Sequence, residues 1–143
     1  MERNDIEYVG VNTLRVGGYL VIENRPHEII QLTTAKTGKH GSAKAHIVAK
    51  DMFTGKKTDI ILSTSDKVAV PIVKRNVYIV LGMDEDYVSL MDTTGKTVDD
   101  VRFLDDDTGK KLREMFTSGK SVTVSVITAL DESKIISCSE TKD

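Results

Sequence analysis

Leu112-Arg113-Glu114-Met115-Phe116-Thr117-Ser118-Gly119-Lys120-Ser121-Val122-Thr123-Val124-Ser125-Val126 changes its hydrophobic period halfway along. In the first half Leu112, Met115 and Phe116 fall at i, i+3 and i+4, one stripe of a short helix. In the second half Val122, Val124 and Val126 alternate with Ser121, Thr123 and Ser125, the period of a half-buried strand. Gly119, between the two, suits a left-handed helix end. Asp106, Asp107 and Thr108 crowd the helix start, where carboxylates and hydroxyls satisfy free N–H groups and face the positive end of the dipole. Upstream lie the strand-like runs Val77–Leu81, Tyr87–Met91 and Val98–Phe103. Downstream, Ile135–Cys138 makes a last strand. Three strands, a helix and two strands is the order of an OB-fold barrel.

The first half of the chain is also strand-like, with no helical period. Its apolar runs are Tyr19–Ile22, Ile29–Leu32, Ala45–Ala49 and Ile60–Leu62. Gly17-Gly18 opens the first, Asn24-Arg25-Pro26 is expected to turn the chain into the second, and Phe53-Thr54-Gly55-Lys56 turns the third into the fourth. This texture suits a small closed barrel. Val70-Pro71 is read as the boundary, because proline interrupts a strand ladder and the charge changes sign there. The expected domains are therefore 1–71 and 72–143, and the fold class is all-β.

Composition narrows the function. The chain has 143 residues, a net charge of −2 and 39% hydrophobic residues, as a soluble globular protein would. No apolar run is long enough to span a bilayer, and the polar, acidic start Met1-Glu2-Arg3-Asn4-Asp5 does not suit a secretory signal. The single cysteine, Cys138, lies in a strand-like run and reads as a core thiol in a reducing compartment. Residues 1–71 carry +2 and residues 72–143 carry −4. From Lys36 to Lys57, Lys36, Lys39, Lys44, Lys50, Lys56 and Lys57 face only Asp51, for a local +5 that attracts phosphates.

Within that segment Lys36-Thr37-Gly38-Lys39-His40-Gly41-Ser42-Ala43-Lys44 brackets one lysine between two glycines. Glycine removes Cβ bulk, so another macromolecule can approach the backbone closely. The triplet Thr/Ser-Gly-Lys is not itself special. It recurs at Thr54-Gly55-Lys56, Thr94-Gly95-Lys96, Thr108-Gly109-Lys110 and Ser118-Gly119-Lys120, where ordinary turn chemistry explains it. A phosphate-binding P-loop is excluded: Thr33 stands where its first glycine belongs, His40 follows the lysine, and no helix comes after. His27, His40 and His46 have no familiar metal-ligand spacing, so no metal is expected. A nucleophilic lysine needs a desolvated amine, which a water-rich tip does not supply, so an enzyme is not expected.

Lys36-Thr37-Gly38-Lys39-His40-Gly41 and Ala43-Lys44, followed by Phe53-Thr54-Gly55-Lys56-Lys57, Val70-Pro71 and Lys74-Arg75-Asn76, resemble the eukaryotic translation initiation factor 5A family. This is the hypusine-containing family related to bacterial elongation factor P. The resemblance covers the chain from about Leu14 to its last strand. It implies two small barrels in tandem, an N-terminal SH3-like barrel and a C-terminal OB-fold with one short helix. It implies that Lys39 is converted to hypusine or deoxyhypusine by deoxyhypusine synthase, which uses spermidine, and by deoxyhypusine hydroxylase. Lys36, Thr37, Gly38, His40, Gly41, Ser42, Ala43 and Lys44 would form the loop those enzymes read. Ser42 stands where eukaryotic members usually carry histidine and archaeal relatives often carry serine.

The resemblance further implies a cytoplasmic, non-enzymatic factor with no other cofactor and no membrane partner. It would bind the large ribosomal subunit near the exit tRNA site and reach the acceptor end of peptidyl-tRNA. There it would help peptide bonds form at stalled sites such as proline runs, and support termination. Lys36, Lys44, Lys50, Lys56 and Lys57 are the candidate RNA contacts, and a homodimer is left open. Two other classes compete: a general single-stranded RNA binder that needs no modification, and a lysine-dependent enzyme. In the second barrel Tyr78, Tyr87, Phe103 and Phe116 are expected in the core. The Asp84-Glu85-Asp86 and Asp105-Asp106-Asp107 clusters would repel phosphates.

Overall fold

The computed structural model describes residues 5–36 and 43–142. The chain divides into two compact units, Met1–Ile72 and Val73–Asp143.

In the first unit β1 (Ile6–Gly10) pairs antiparallel with β6 (Lys67–Pro71). A second sheet runs β2-β3-β4-β5, with β2 at Tyr19–Ile22, β3 at Arg25–Ala35, β4 at Lys44–Asp51 and β5 at Lys57–Ser63. Leu20, Ile29, Ala45, Ile47 and Ala49 fill the core between the sheets. Val9 from β1 and Val68 and Val70 from β6 close over them. Strands β1 and β6 fall outside the apolar runs of the sequence, because each offers only two or three inward side chains.

Both prolines behave differently from expectation. The turn into β3 is Glu23-Asn24, at φ 51° and 63°, and Pro26 lies buried inside β3 opposite Val21. Ile29 N–H donates to the Gly18 carbonyl at 2.8 Å. Donating and non-donating positions alternate from there, so Pro26 falls where no N–H is needed toward β2. Its carbonyl still accepts from Met52 N at 3.0 Å. Pro71 likewise ends β6 in register with Ile6 instead of stopping the strand before it, and the next residue, Ile72, donates to the Asp5 carbonyl at 2.8 Å.

The second unit is one five-stranded antiparallel sheet ordered β11-β10-β7-β8-β9. Its strands are β7 (Lys74–Met83), β8 (Tyr87–Met91), β9 (Thr97–Arg102), β10 (Val122–Ala129) and β11 (Glu132–Glu140), with the helix α1 (Asp107–Thr117) between β9 and β10. The two outer strands, β9 and β11, come into contact, and α1 packs on β11. This is the OB-fold order read from the sequence, and the two-barrel, all-β reading stands. Val88, Leu90, Leu112, Val122, Val124, Val126 and Cys138 form the core.

The helix ends follow their letters. The Asp106 carboxylate accepts from Gly109 N at 2.8 Å. At the other end Lys120 N donates to the Met115 carbonyl and Gly119 N to the Phe116 carbonyl, with Gly119 at φ 84°. The triplet Thr108-Gly109-Lys110 is no turn, however. Gly109 is buried inside α1, and a Cβ there would lie 1.7 Å from the Leu104 carbonyl oxygen. Glycine is required at this position by close backbone approach, not by a positive φ.

Candidate functional site

Strands β3 and β4 form a hairpin whose register runs from His27↔Asp51 to Ala35↔Lys44, with a bulge between Ile29 and Gln31. The stretch joining the strands is thus residues 36–43. Of the predicted modification loop, Lys36 and Lys44 are exposed and Ala43 is half-buried. The Ala43 carbonyl accepts from Thr64 N at 2.9 Å, which ties the root of the hairpin to the β5–β6 connection. Thr37, Gly38, Lys39, His40, Gly41 and Ser42 lie outside the described residues.

Alternation along β4 sorts its side chains. Ala45, Ile47, Ala49 and Asp51 point inward and are buried, while Lys44, His46 and Lys50 are exposed on the other face. Lys44 and Lys50 sit six residues apart on this strand, a separation of roughly 20 Å. The cation-rich stretch is therefore two groups, not one. Lys36 and Lys44 flank the hairpin tip. Lys50, Lys56 and Lys57, all exposed, gather at the far end, where β4 turns into β5. Between them His46 Nε2 sits 3.7 Å from Asp59 Oδ2.

That far turn is built around Asp51, which the sequence showed only as a lone negative charge. Asp51 is 5% exposed. Its Oδ1 accepts from Phe53 N at 2.9 Å, Thr54 N at 3.0 Å and Arg25 Nη2 at 3.1 Å, and its Oδ2 accepts from Arg25 Nε at 2.9 Å. Burial pushes the carboxyl pKa up. The Arg25 hydrogen bond, the Thr54 and Phe53 N–H groups and the Arg25 charge outweigh it and hold the pKa well below the ordinary value of 3.8. An aspartate two and three residues before turn N–H groups was a readable signal for the turn. The Arg25 partner was not readable, because it depends on how β3 and β4 align.

The other described histidine of the first unit is structural: His27 is buried, with Nδ1 2.9 Å from the Arg25 carbonyl. Among the described residues no group of three or more His, Cys, Asp or Glu could hold a metal ion. No helix among them is long and apolar enough to cross a membrane.

The second unit offers little to a phosphate. Tyr78, Phe103 and Phe116 pack against its core as expected. Tyr87 does not. It is 44% exposed at the start of β8, as are Val77 (53%), Ile79 and Leu81 on the outer face of β7. These apolar letters belong to a strand whose two faces are not both covered. A hollow on that face is lined by Val77, Tyr78, Ile79, Met91, Asp92, Thr93 and Thr123, with no cation. The acidic clusters shape loops: Asp84 accepts from Asp86 N at 2.8 Å and Tyr87 N at 2.7 Å, and Asp106 caps α1. Arg113 stacks on Phe103, 4.1 Å from its ring centroid, and donates to the Asp84 carbonyl at 2.9 Å. Cys138 is buried as expected, and burial raises its thiol pKa.

Fold and site together define a tandem-barrel protein, with a cationic hairpin on the first barrel and an OB-type second barrel. The comparisons agree at both levels. Residues 7–66 match the family described as translation initiation factor 5A-like, N-terminal. Residues 72–139 match the family described as eukaryotic elongation factor 5A hypusine, DNA-binding OB fold. The chain is 43% identical over 129 residues to eukaryotic translation initiation factor 5A-1 of Saccharomyces cerevisiae, covering 90% of this chain and 82% of the relative. It is 44% identical over 125 residues to eukaryotic translation initiation factor 5A-1 of Arabidopsis thaliana, covering 86% and 79%. Among solved structures, a translation initiation factor eif-5a family protein from Naegleria fowleri superposes with a TM-score of 0.86 at 36% identity, covering 94% of this chain and 99% of that one. The eukaryotic translation initiation factor 5A from Methanococcus jannaschii does so at 0.80 and 30% identity, covering 97% and 98%.

This chain belongs to the translation initiation factor 5A family, a family of translation factors with a hypusine site.

Proposed function

We propose that this chain is a ribosome-binding translation factor, not an enzyme, and that modification of Lys39 to hypusine or deoxyhypusine activates it. The observation that carries the reading is the Lys36–Lys44 signature, placed in a family member where β3 meets β4. Deoxyhypusine synthase, reading Lys36, Thr37, Gly38, His40, Gly41, Ser42, Ala43 and Lys44, transfers the aminobutyl group of spermidine to the Lys39 amine, breaking the spermidine C–N bond and releasing 1,3-diaminopropane. Deoxyhypusine hydroxylase adds one hydroxyl. The modification roughly doubles the reach of the side chain and places a second cationic nitrogen at its far end, suited to phosphate oxygens and ribose hydroxyls.

On the large subunit, near the exit tRNA site, that group holds the acceptor end of a sluggish peptidyl-tRNA close to its attack geometry. The ribosome performs the chemistry. Lys36, Lys44, Lys50, Lys56 and Lys57 add attraction to phosphates that salt weakens. Peptide-bond formation at proline runs, and termination, are the steps that gain, and the factor works in the cytoplasm.

Two measurements test this. Protein purified from its own organism carries one added aminobutyl group, with or without one oxygen, mapped to Lys39. Unmodified Lys39 throughout growth would sink the proposal. Lys39→Arg keeps the charge but blocks the modification, so translation of a proline-run reporter is lost while plain RNA affinity changes little. A Lys39→Arg protein that still supports the reporter favours a general RNA binder instead.

A further inference from the structure

Strand β7 breaks a rule that its neighbours obey. On the outer face of the second unit β10 and β11 present Thr123, Ser125, Ser137 and Ser139. Polar letters are expected there, where one side of an antiparallel sheet meets water. The same face of β7 presents Val77, Ile79 and Leu81, and β8 adds Tyr87 and Met91. Val77 stands opposite Ser125 and Ile79 opposite Thr123, so the change from polar to apolar comes within one strand spacing. Single exposed apolar side chains are ordinary, but a contiguous group marks a contact surface. We propose that this face of β7 and β8 docks an extended segment of another protein, one in which apolar residues lead into a cationic stretch.

The apolar part of the segment follows from shape. Val77, Ile79 and Leu81 recur at every second residue, the pitch at which an extended chain repeats its own side chains. Beside them is the hollow lined by Val77, Ile79, Met91 and Asp92 among others, with a volume of about 180 Å³, room for a large side chain.

The cationic part follows from the uneven charge around the face. At the Leu81–Tyr87 end lie Asp84, Glu85 and Asp86 in the β7–β8 turn, and Asp99 and Asp100 at the β9 bulge. Arg102, opposite Tyr87, and Arg113, stacked on Phe103, offset two of these five, which leaves −3. At the Met91 end Asp92 and Lys96 cancel. At the Val77 end Arg75 and Lys134, both opposite Ile127, give +2. The cations of the partner therefore belong at the Tyr87 end and its apolar residues over β7. The acidic end turns away phosphates, and it turns away the same face of a second copy. The inference is independent of Lys39 and of its modification.

The test titrates isotope-labelled full chain with the synthetic peptide Leu-Ser-Ile-Ser-Leu-Ser-Lys-Lys-Lys-Lys and follows the amide NMR signals. Shifts are expected in β7 and β8 and not in the first unit. Val77→Ser with Ile79→Thr, which gives β7 the letters of β10, is expected to weaken binding about tenfold. Glu85→Lys with Asp100→Lys leaves the apolar letters in place and is expected to weaken binding by a similar factor, less so as salt rises. A spin label at the lysine end of the peptide should broaden Glu85 and Tyr87 before Val77. Unshifted β7 and β8 signals overturn the inference, as does unchanged affinity in either folded variant. Equal binding of a peptide with Ser at every Leu and Ile also overturns it. A wild-type chain that dimerises while the Val77→Ser, Ile79→Thr variant does not gives the face to a second copy, and single-stranded RNA that shifts the same amides gives it to nucleic acid. Both results sink the inference, and each of these failures leaves the reading of Lys39 standing.

Discussion

Two turns, one in each unit, are spelled almost alike: Asp51-Met52-Phe53-Thr54-Gly55-Lys56 and Asp92-Thr93-Thr94-Gly95-Lys96. Each aspartate N–H donates to the lysine carbonyl, at 2.8 Å from Asp51 and 2.9 Å from Asp92, and each aspartate carbonyl accepts from the glycine N–H. Each carboxylate takes turn N–H groups, and each glycine has a positive φ, 79° and 90°. The difference lies outside the turn. Asp51 is buried against the Arg25 guanidinium, whereas Asp92 stays near solvent and takes the Thr94 hydroxyl at 2.7 Å. The letters set the shape of a turn, and the partner that a distant strand delivers sets its energetic weight.

The largest expected effect is at the buried turn. Asp51→Ala removes the acceptor for Arg25, Phe53 N and Thr54 N together, and is expected to destabilise the first unit by about 3 kcal/mol. Chemical denaturation of the variant checks this, and a loss no larger than that of Asp92→Ala would break the comparison. Acid sharpens it. Because folding lowers the Asp51 pKa below 3.8, its contribution is complete above that value and fades as pH falls through and below it. Wild-type stability should therefore fall more steeply than that of Asp51→Asn between about pH 5 and pH 2.

Next in size is Gly109→Ala, in a further copy of the triplet that lies inside a helix and not in a turn. A methyl 1.7 Å from the Leu104 carbonyl oxygen forces α1 and the segment before it apart. The expected cost to the second unit is about 2 to 3 kcal/mol, read as a lowered melting temperature. The same replacement at Gly95 meets no atom within 4 Å and strains only the backbone. The smallest effect is Asp92→Ala, where water replaces the lost hydrogen bonds. Its melting temperature should stay closest to that of the wild type, and a drop matching that of Asp51→Ala would show that the motif itself carries the stability.

Periodicity made most of the fold legible. Leu112, Met115 and Phe116 placed α1, and the Val122–Val126 alternation placed β10. Gly119 and Asp106 marked the helix ends by chemistry local to each residue. What failed was long-range. Strand β6 was missed because Pro71 reads as interrupting the ladder, and β1 because Ile6 and Val9 alone are its half-buried apolar letters. Turns at Glu23-Asn24 and Leu130-Asp131 carry positive φ without glycine, imposed by the strands they join. Tyr87 looked like a core letter but lies, with Val77, on a face that nothing in their own unit covers. At the candidate site, the lysines were readable one by one. Their division between the two ends of β4 was not, since it follows from strand length and from the inward turn of Asp51.

Cys138 has a practical consequence. The chain has one thiol, packed in the core of the second unit with its pKa raised by burial. The thiolate, not the thiol, attacks alkylating reagents, so this sulfur reacts slowly in the folded state. A dye or spin probe attached through a cysteine introduced at a solvent-facing position such as Ile61 would report from one place, with the native sequence otherwise intact.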